Sequence, residues 1–178
     1  MESTLHILFV CTGNICRSPT AERLAAAHGA ELGISDLETS SAGTRAVIGH
    51  AIHPQAARVL DSFGGRSTDF AARQLTTKIA ASADIILTMT RSHRDAVLGL
   101  APRKLNRTFT LTEAAYLATE GGASSITDLA DLRPHCATHQ LADIPDPIGQ
   151  SDDVFDFVGG RIASLLPPVL RVCQGRQQ

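Results

Sequence analysis

The segment LHILFV, residues 5–10, runs without interruption into CTGNICRSP, residues 11–19. A short apolar run closed by a Gly/Asn turn reads as a buried strand of a parallel sheet. Behind the turn, Ser18 has the chemistry of a helix N-cap and Pro19 that of a first helical residue. AERLAAAHGAEL then carries a helix to Gly33. Glu22 falls in or just beyond the first helical turn, where the helix dipole favours an acid. A strand that passes through so short a turn into a helix is half of a strand-helix-strand unit, and such a unit needs a parallel sheet to receive it.

The rest of the chain supplies that sheet. Leu37–Ala42, closed by Gly43, reads as a second strand, Asp84–Met89 as a third and Arg107–Leu111 as a weaker fourth. Helices are expected over Pro54–Phe63, Thr76–Ala83, Ser92–Leu100 and Thr112–Thr119. The first of these puts Ala56, Val59, Leu60 and Phe63 on one face, and Pro102 prevents extension of the third. A last helix is expected over Asp152–Val172, broken or kinked at Pro167–Pro168. Residues 120–143 have little periodicity and much Gly, Ser, Asp and His, and a structureless stretch of that length argues for a short helix inside it. The expectation is an α/β chain forming a single three-layer domain over residues 1–178. Its four-stranded, mostly parallel, twisted sheet would carry helices on both faces, with residues 120–143 as an unusual loop or insertion.

In an open parallel sheet the ligand crevice lies at the carboxyl ends of the strands. Residues 11–18 fall at such an end, directly before a helix. Successive backbone N–H groups in such a turn converge on one point, and the helix N-terminus adds its positive end. Gly13 and Asn14 are residue types that tolerate left-handed backbone. Arg17 can supply a planar fork for two oxygens of a phosphate. The same field favours a thiolate at Cys11, and a thiolate on the floor of a phosphate cradle is a nucleophile facing phosphorus. Such a cradle needs no metal or other cofactor, because Arg17 and the amides of Thr12, Gly13, Asn14, Ile15, Cys16 and Ser18 carry the countercharge. A Walker A loop is excluded because no Gly-Lys-Ser/Thr follows, and the gap from Cys11 to Cys16 is too long for Cys-x-x-Cys.

Composition narrows the partners. A net charge of −2 and a pI near 6.4 argue against a bulk electrostatic grip on nucleic acid or an anionic membrane. The only apolar run near the N-terminus is too short for a secretion signal or a membrane span. The four cysteines, Cys11, Cys16, Cys136 and Cys173, are too scattered for a disulfide framework. A cytoplasmic location with free thiols is expected. His135, Cys136 and His139 cluster metal-type donors but lack further ligands at zinc spacing, so they read as a polar loop.

The full string Cys-Thr-Gly-Asn-Ile-Cys-Arg-Ser-Pro after an apolar strand resembles the phosphate loop of low-molecular-weight protein tyrosine phosphatases. The resemblance runs from Leu5 to about Leu117 and resumes over Ile144–Leu166. Ser41-Ala42-Gly43-Thr44, Ala72-Arg73-Gln74-Leu75-Thr76 and Asp146-Pro147 match in order. It implies hydrolysis of phosphotyrosine in a protein substrate through a phosphocysteine intermediate, releasing inorganic phosphate. It implies Cys11 as nucleophile, Arg17 as clamp and Asp146 as the acid that protonates the leaving oxygen. Asp146 sits between Pro145 and Pro147, on a stiff loop. Asn14, Ser18 and Ser41 are implied as loop support, and Cys11 with Cys16 as a protective redox pair.

The chain departs from that pattern in three places. Ile148-Gly149 follows the Asp-Pro pair where aromatics usually stand, leaving Arg45, Ile48, His50 or His53 to line the entrance, although both histidines read first as exposed loop residues. Phe70 occupies a position where the family often has histidine. The strings DIILTMTRSHRDAV and RTFTLTEAAYL are similar to the bacterial branch that includes protein-arginine phosphatases. In that branch a threonine tends to precede the second cysteine. Here Ile15 does, and an apolar side chain favours a phenyl ring over a polar guanidinium. Protein-arginine phosphatase, arsenate reductase and a phosphate-binding module without turnover are the alternatives. The reductase would need Cys136 and Cys173 in a thiol relay.

Overall fold

The computed structural model describes residues 3–175. Its strands are β1 (Leu5–Cys11), β2 (Leu37–Gly43), β3 (Ile85–Thr88) and β4 (Thr108–Thr110). Its helices are α1 (Arg17–Glu31), α2 (Pro54–Ser62), α3 (Thr77–Ser82), α4 (Arg91–Leu100), α5 (Leu111–Thr119), α6 (Ile126–Leu132) and α7 (Asp152–Gln174). The strands form one sheet in the order β2-β1-β3-β4, and every pairing is parallel. Leu5 faces Leu37, Ile7 faces Ile85, and Ile86 faces Thr108.

Alternation along β1 divides the core. Ile7 and Phe9 join the larger cluster with side chains of α1, α2, α5, α6 and α7, whereas Leu8 and Val10 join the smaller one with Leu75, Ala80, Val97 and Ala101. Successive side chains of a strand point to opposite faces, so β1 is buried on both sides, as its unbroken apolar run requires. Burying a side chain such as Phe9, which is fully enclosed, contributes about 1.5–3 kcal/mol. The chain leaves β1 toward β2 on one side and later returns to β3 on the other. The carboxyl end of β1 is therefore the switch point where a crevice opens.

Threonine caps start three of the helices. Thr76, Thr90 and Thr110 each accept a hydrogen bond from the N–H three residues on, at Ile79, His93 and Glu113. The expected Ser18 cap does not form. The N-cap of α1 is Cys16, the helix starts at Arg17, and Ser18 lies inside the first turn with its hydroxyl free for other partners. Pro167 and Pro168 do not interrupt α7, which runs continuously for 23 residues. The N–H groups missing there would have served the carbonyls of Ala163 and Ser164. Leu165, Leu166, Val169 and Leu170 are buried and hold both sides of the proline pair to the core.

Residues 120–143 do contain a short helix. Ser125 and Asp128 form a reciprocal capping box at the start of α6, and Ile126 and Leu129 enter the larger core. Two 3-10 turns follow, Arg133–His135 and Thr138–Gln140, so His135 and His139 lie in separate turns. Arg133 fastens the segment to the sheet. Its guanidinium lies 4.0 Å from the Phe109 ring centroid, donates to the carbonyls of Leu105 and Thr108, and faces Glu113 at 3.4 Å.

Candidate active site

Cys11 is the last residue of β1, pairs with Gly43 of β2 and is 2 % exposed. The loop after it is held from outside by its carbonyls. Those of Cys11, Thr12, Gly13 and Ile15 accept from the N–H groups of Thr44, Arg45, Val47 and His53, at 2.7–2.9 Å. In a planar trans peptide the N–H points opposite to the C=O. Four carbonyls turned outward therefore turn the N–H groups of Thr12, Gly13, Asn14 and Cys16 inward, and that is the cradle. Gly43 permits the close approach, since a Cβ there would lie 2.4 Å from the Thr12 carbonyl oxygen.

Asn14 shapes the loop. It takes the left-handed conformation, φ 56°, and is fully buried. Gly13 is not among the positive-φ residues, so the expected left-handed freedom is used at Asn14 alone. The Asn14 amide donates to Ser18 Oγ at 2.8 Å and to Ser41 Oγ at 2.9 Å, and its oxygen accepts from the Arg73 N–H at 2.9 Å. Ser41 in turn donates to Glu22 Oε1 at 3.1 Å, and Glu22 pairs with Arg23. The Ser41 hydroxyl hydrogen is thus committed, and Ser18 Oγ already accepts from Asn14. The Ser18 hydroxyl hydrogen remains for Cys11 Sγ, 2.9 Å away. Glu22 serves this network rather than the helix dipole. Arg23 also lies over the Phe70 ring at 5.5 Å, so Phe70 supports the network from behind.

Arg17 is buried, donates through Nη1 to the Ile144 carbonyl at 2.9 Å and holds Nη2 3.8 Å from Asp146 Oδ2. Asp146 is half exposed, and its Oδ1 accepts from the Ile148 N–H, which fixes the turn between the two prolines. Ile144 anchors that turn by donating to the Met89 carbonyl, and Asp143 accepts from the Arg91 N–H. The thiol of Cys16 is pushed up to about 12 by burial, and the neighbouring Cys11 adds to the effect. Cys16 therefore stays protonated at neutral pH.

Two histidines differ from expectation. His50 is exposed, but His53 is half-buried and stacks on Phe155 with ring centroids 5.2 Å apart. Its N–H holds the Ile15 carbonyl, and its Nδ1 accepts from the Gln55 N–H at the start of α2. His93 was not indicated by sequence at all. It is buried on the first turn of α4, and its Nε2 lies 2.8 Å from Thr12 Oγ1. Only the Thr90 cap two residues after the third strand hints that a side chain there reaches the loop.

Aliphatic side chains are exposed on the segments that follow β2 and Pro147, with Arg45 exposed among them. Val47, Ile48 and Ile148 are exposed, and Val47 lies within 3.5 Å of the space beside Gly13. A sulfur beneath inward amides, a buried guanidinium and a carboxylate on a stiff turn are the groups that oxyanion binding and group transfer require.

The chain matches the family model for low molecular weight phosphotyrosine protein phosphatase over residues 6–174. It is 37 % identical over 154 residues to a probable low molecular weight protein-tyrosine-phosphatase, AmsI, of Erwinia amylovora, covering 86 % of this chain and 87 % of that one. The crystal structure of AmsI superposes with a TM-score of 0.71 at 29 % identity, covering 95 % of this chain and 93 % of that one. The YwlE arginine phosphatase from Geobacillus stearothermophilus superposes with a TM-score of 0.75 at 26 % identity, covering 97 % and 95 %. With a family match from the start of β1 to the end of α7 and a cradle built around Cys11 and Arg17, this chain belongs to the low-molecular-weight protein tyrosine phosphatase family.

Proposed function

We propose that the protein hydrolyses phosphotyrosine in proteins, with Cys11 as nucleophile, Arg17 as oxyanion clamp and Asp146 as general acid and base. The observation that carries this reading is the outward anchoring of four loop carbonyls, which turns the intervening amides to the opposite side of the loop. The Cys11 sulfur attacks phosphorus, the P–S bond forms and the P–O ester bond breaks. Asp146 gives its proton to the departing phenolate oxygen. A water then attacks phosphorus and loses a proton to the Asp146 carboxylate, the P–S bond breaks, and phosphate leaves. The Ser18 hydroxyl hydrogen stabilises the sulfur as it departs. No step calls for a metal.

On this reading residues 1–178 act as one catalytic domain. The partners are phosphorylated proteins, with inorganic phosphate as product and inhibitor and no role for nucleic acid, and the location is the cytoplasm. Among the described residues no helix is long and apolar enough to cross a membrane. A second reading, phosphoarginine hydrolysis, is favoured by the likeness to an arginine phosphatase and opposed by apolar Ile15 in the loop. A thiol relay for arsenate finds no support in Cys173, which is 2 % exposed in the core.

The test is turnover of phosphotyrosine, phosphoarginine and phosphoserine peptides side by side, with Cys11→Ser as control. Phosphotyrosine is expected to be the preferred substrate and Cys11→Ser to be inert. A Cys11→Ser protein that still hydrolysed aryl phosphate would overturn the mechanism, and preference for phosphoarginine would select the second reading.

A further inference from the structure

The first turn of α4 touches both halves of the site. Met89, just before it, receives the Ile144 N–H, and the Arg91 N–H and guanidinium meet Asp143 at 3.0 and 3.6 Å. Those contacts anchor the turn that carries Asp146. One turn on, His93 reaches Thr12, the residue after Cys11, across 81 positions of sequence. The Thr90 cap fixes the His93 backbone. Thr12 is thereby held from two directions, its carbonyl by Arg45 and its hydroxyl by His93.

We propose that His93 is a positioning residue for phosphate transfer: through Thr12 it sets the direction of the first amides of the cradle and registers the phosphate loop against the turn that carries the acid. The proposal rests on the phosphatase reading and extends it to a residue that touches neither phosphate nor leaving group.

The state of the ring follows from its surroundings. Burial, and then the Arg17 guanidinium, lower His93 to about 4, with Asp143 and Asp146 opposing. The imidazole is neutral at physiological pH and carries one N–H. Its Nδ1 is buried without a partner. An unpaired buried N–H costs more than an unpaired lone pair, so the hydrogen belongs on Nε2, which donates to Thr12 Oγ1. Loss of that bond frees the Thr12 side of the loop while leaving Arg45 in place. A small misdirection of amides is enough to weaken transition-state binding.

The experiment compares wild type with His93→Ala, His93→Gln, His93→Asn, Thr12→Val and the His93→Ala/Thr12→Val double variant. Readouts are kcat and KM on an aryl phosphate, the inhibition constant of inorganic phosphate, its dissociation constant by calorimetry, and Tm. His93→Ala and Thr12→Val are each expected to lower kcat/KM about tenfold, the worth of one buried hydrogen bond, and to weaken phosphate binding in parallel. The double variant should be no worse than either single one. A Gln amide reaches as far as Nε2 and should restore most of the loss, whereas Asn reaches only as far as Nδ1 and should not. Wild-type kcat/KM and phosphate affinity in His93→Ala, even with a lowered Tm, would overturn the proposal. So would additive losses, or rescue by Asn equal to that by Gln. Should His93→Ala fail to fold, Thr12→Val and the Gln/Asn pair decide the matter by the same readouts. A wild type without turnover would instead refute the phosphatase reading, and phosphate affinity would still decide the role of His93.

Discussion

Arg17 Nη1 donates to the backbone carbonyl of Ile144 at 2.9 Å, across 127 positions of sequence. The guanidinium proposed as the oxyanion clamp is thus also the strut for the turn that carries Asp146. One side chain holds the loop after Cys11 and the turn of Asp146 in register, so a change in its shape disturbs both. Lysine has a single point of positive charge and cannot serve both directions. Arg17→Lys should lower kcat by about 10²–10³-fold, the scale of losing one oxyanion donor. It should also lower Tm, because the Ile144 carbonyl loses its buried donor, checked by steady-state kinetics beside a thermal melt.

Asp146 is half exposed and makes its one backbone bond within its own turn, so Asp146→Asn should fold normally. Its kcat should fall by about 10²–10⁴-fold, the usual span for a general acid. The loss should be largest on phenyl phosphate and smaller on aryl phosphates whose leaving oxygen needs no proton. A loss independent of leaving-group basicity would remove Asp146 from that role.

Asn14 uses both of its side-chain N–H groups and its side-chain oxygen while sitting at positive φ. Asn14→Ala leaves buried partners unsatisfied and puts an ordinary residue in a left-handed conformation, at a combined cost of about 2–4 kcal/mol. Urea titration should show that loss together with weaker phosphate binding. Ser41→Ala should show a smaller version of both, because the amide keeps Ser18 and Arg73.

His93 makes stability depend on pH in a defined window. Its folded value near 4 lies below the ordinary 6.5, so between those values the unfolded chain takes up a proton that the folded chain refuses. Its contribution is full above about pH 6.5 and declines as pH falls toward 4. Wild type should therefore lose urea midpoint relative to His93→Gln as pH is lowered from 7 to 4. Parallel curves would show that the ring is not buried in the neutral form.

Cys16 is held as a thiol by burial, beside Cys11. Peroxide oxidation of Cys11 to the sulfenic acid should be followed by attack of Cys16, whose thiol proton passes to the departing sulfenic oxygen so that a disulfide forms and water leaves. Wild type should regain activity with dithiothreitol after peroxide, and Cys16→Ser should not. Equal irreversible loss in both would exclude the protective pair.

The cradle was readable because its parts are neighbours in the chain. An apolar strand, a Gly/Asn turn, an arginine and a helix start are one local unit, and strand-helix alternation around them already specified a parallel sheet. Local reading erred where two local rules competed. Ser18 looks like a cap, yet Cys16 takes that place because the Ser18 hydroxyl is drawn to Asn14 and Cys11. Pro167–Pro168 looks like a break, yet burial of apolar side chains on both sides keeps α7 continuous.

What the sequence determined by itself is the order of elements and the reactive loop, since both rest on short-range sterics, periodicity and capping. What the tertiary structure decided is how that loop is held. Glu22 behind Ser41, Arg73 on Asn14, His53 on Ile15, Ile144 on Arg17 and His93 on Thr12 are all partners supplied by other elements. No periodicity encodes such pairs, because they exist only once the sheet order β2-β1-β3-β4 has set the carboxyl ends of β2, β1 and β3 side by side.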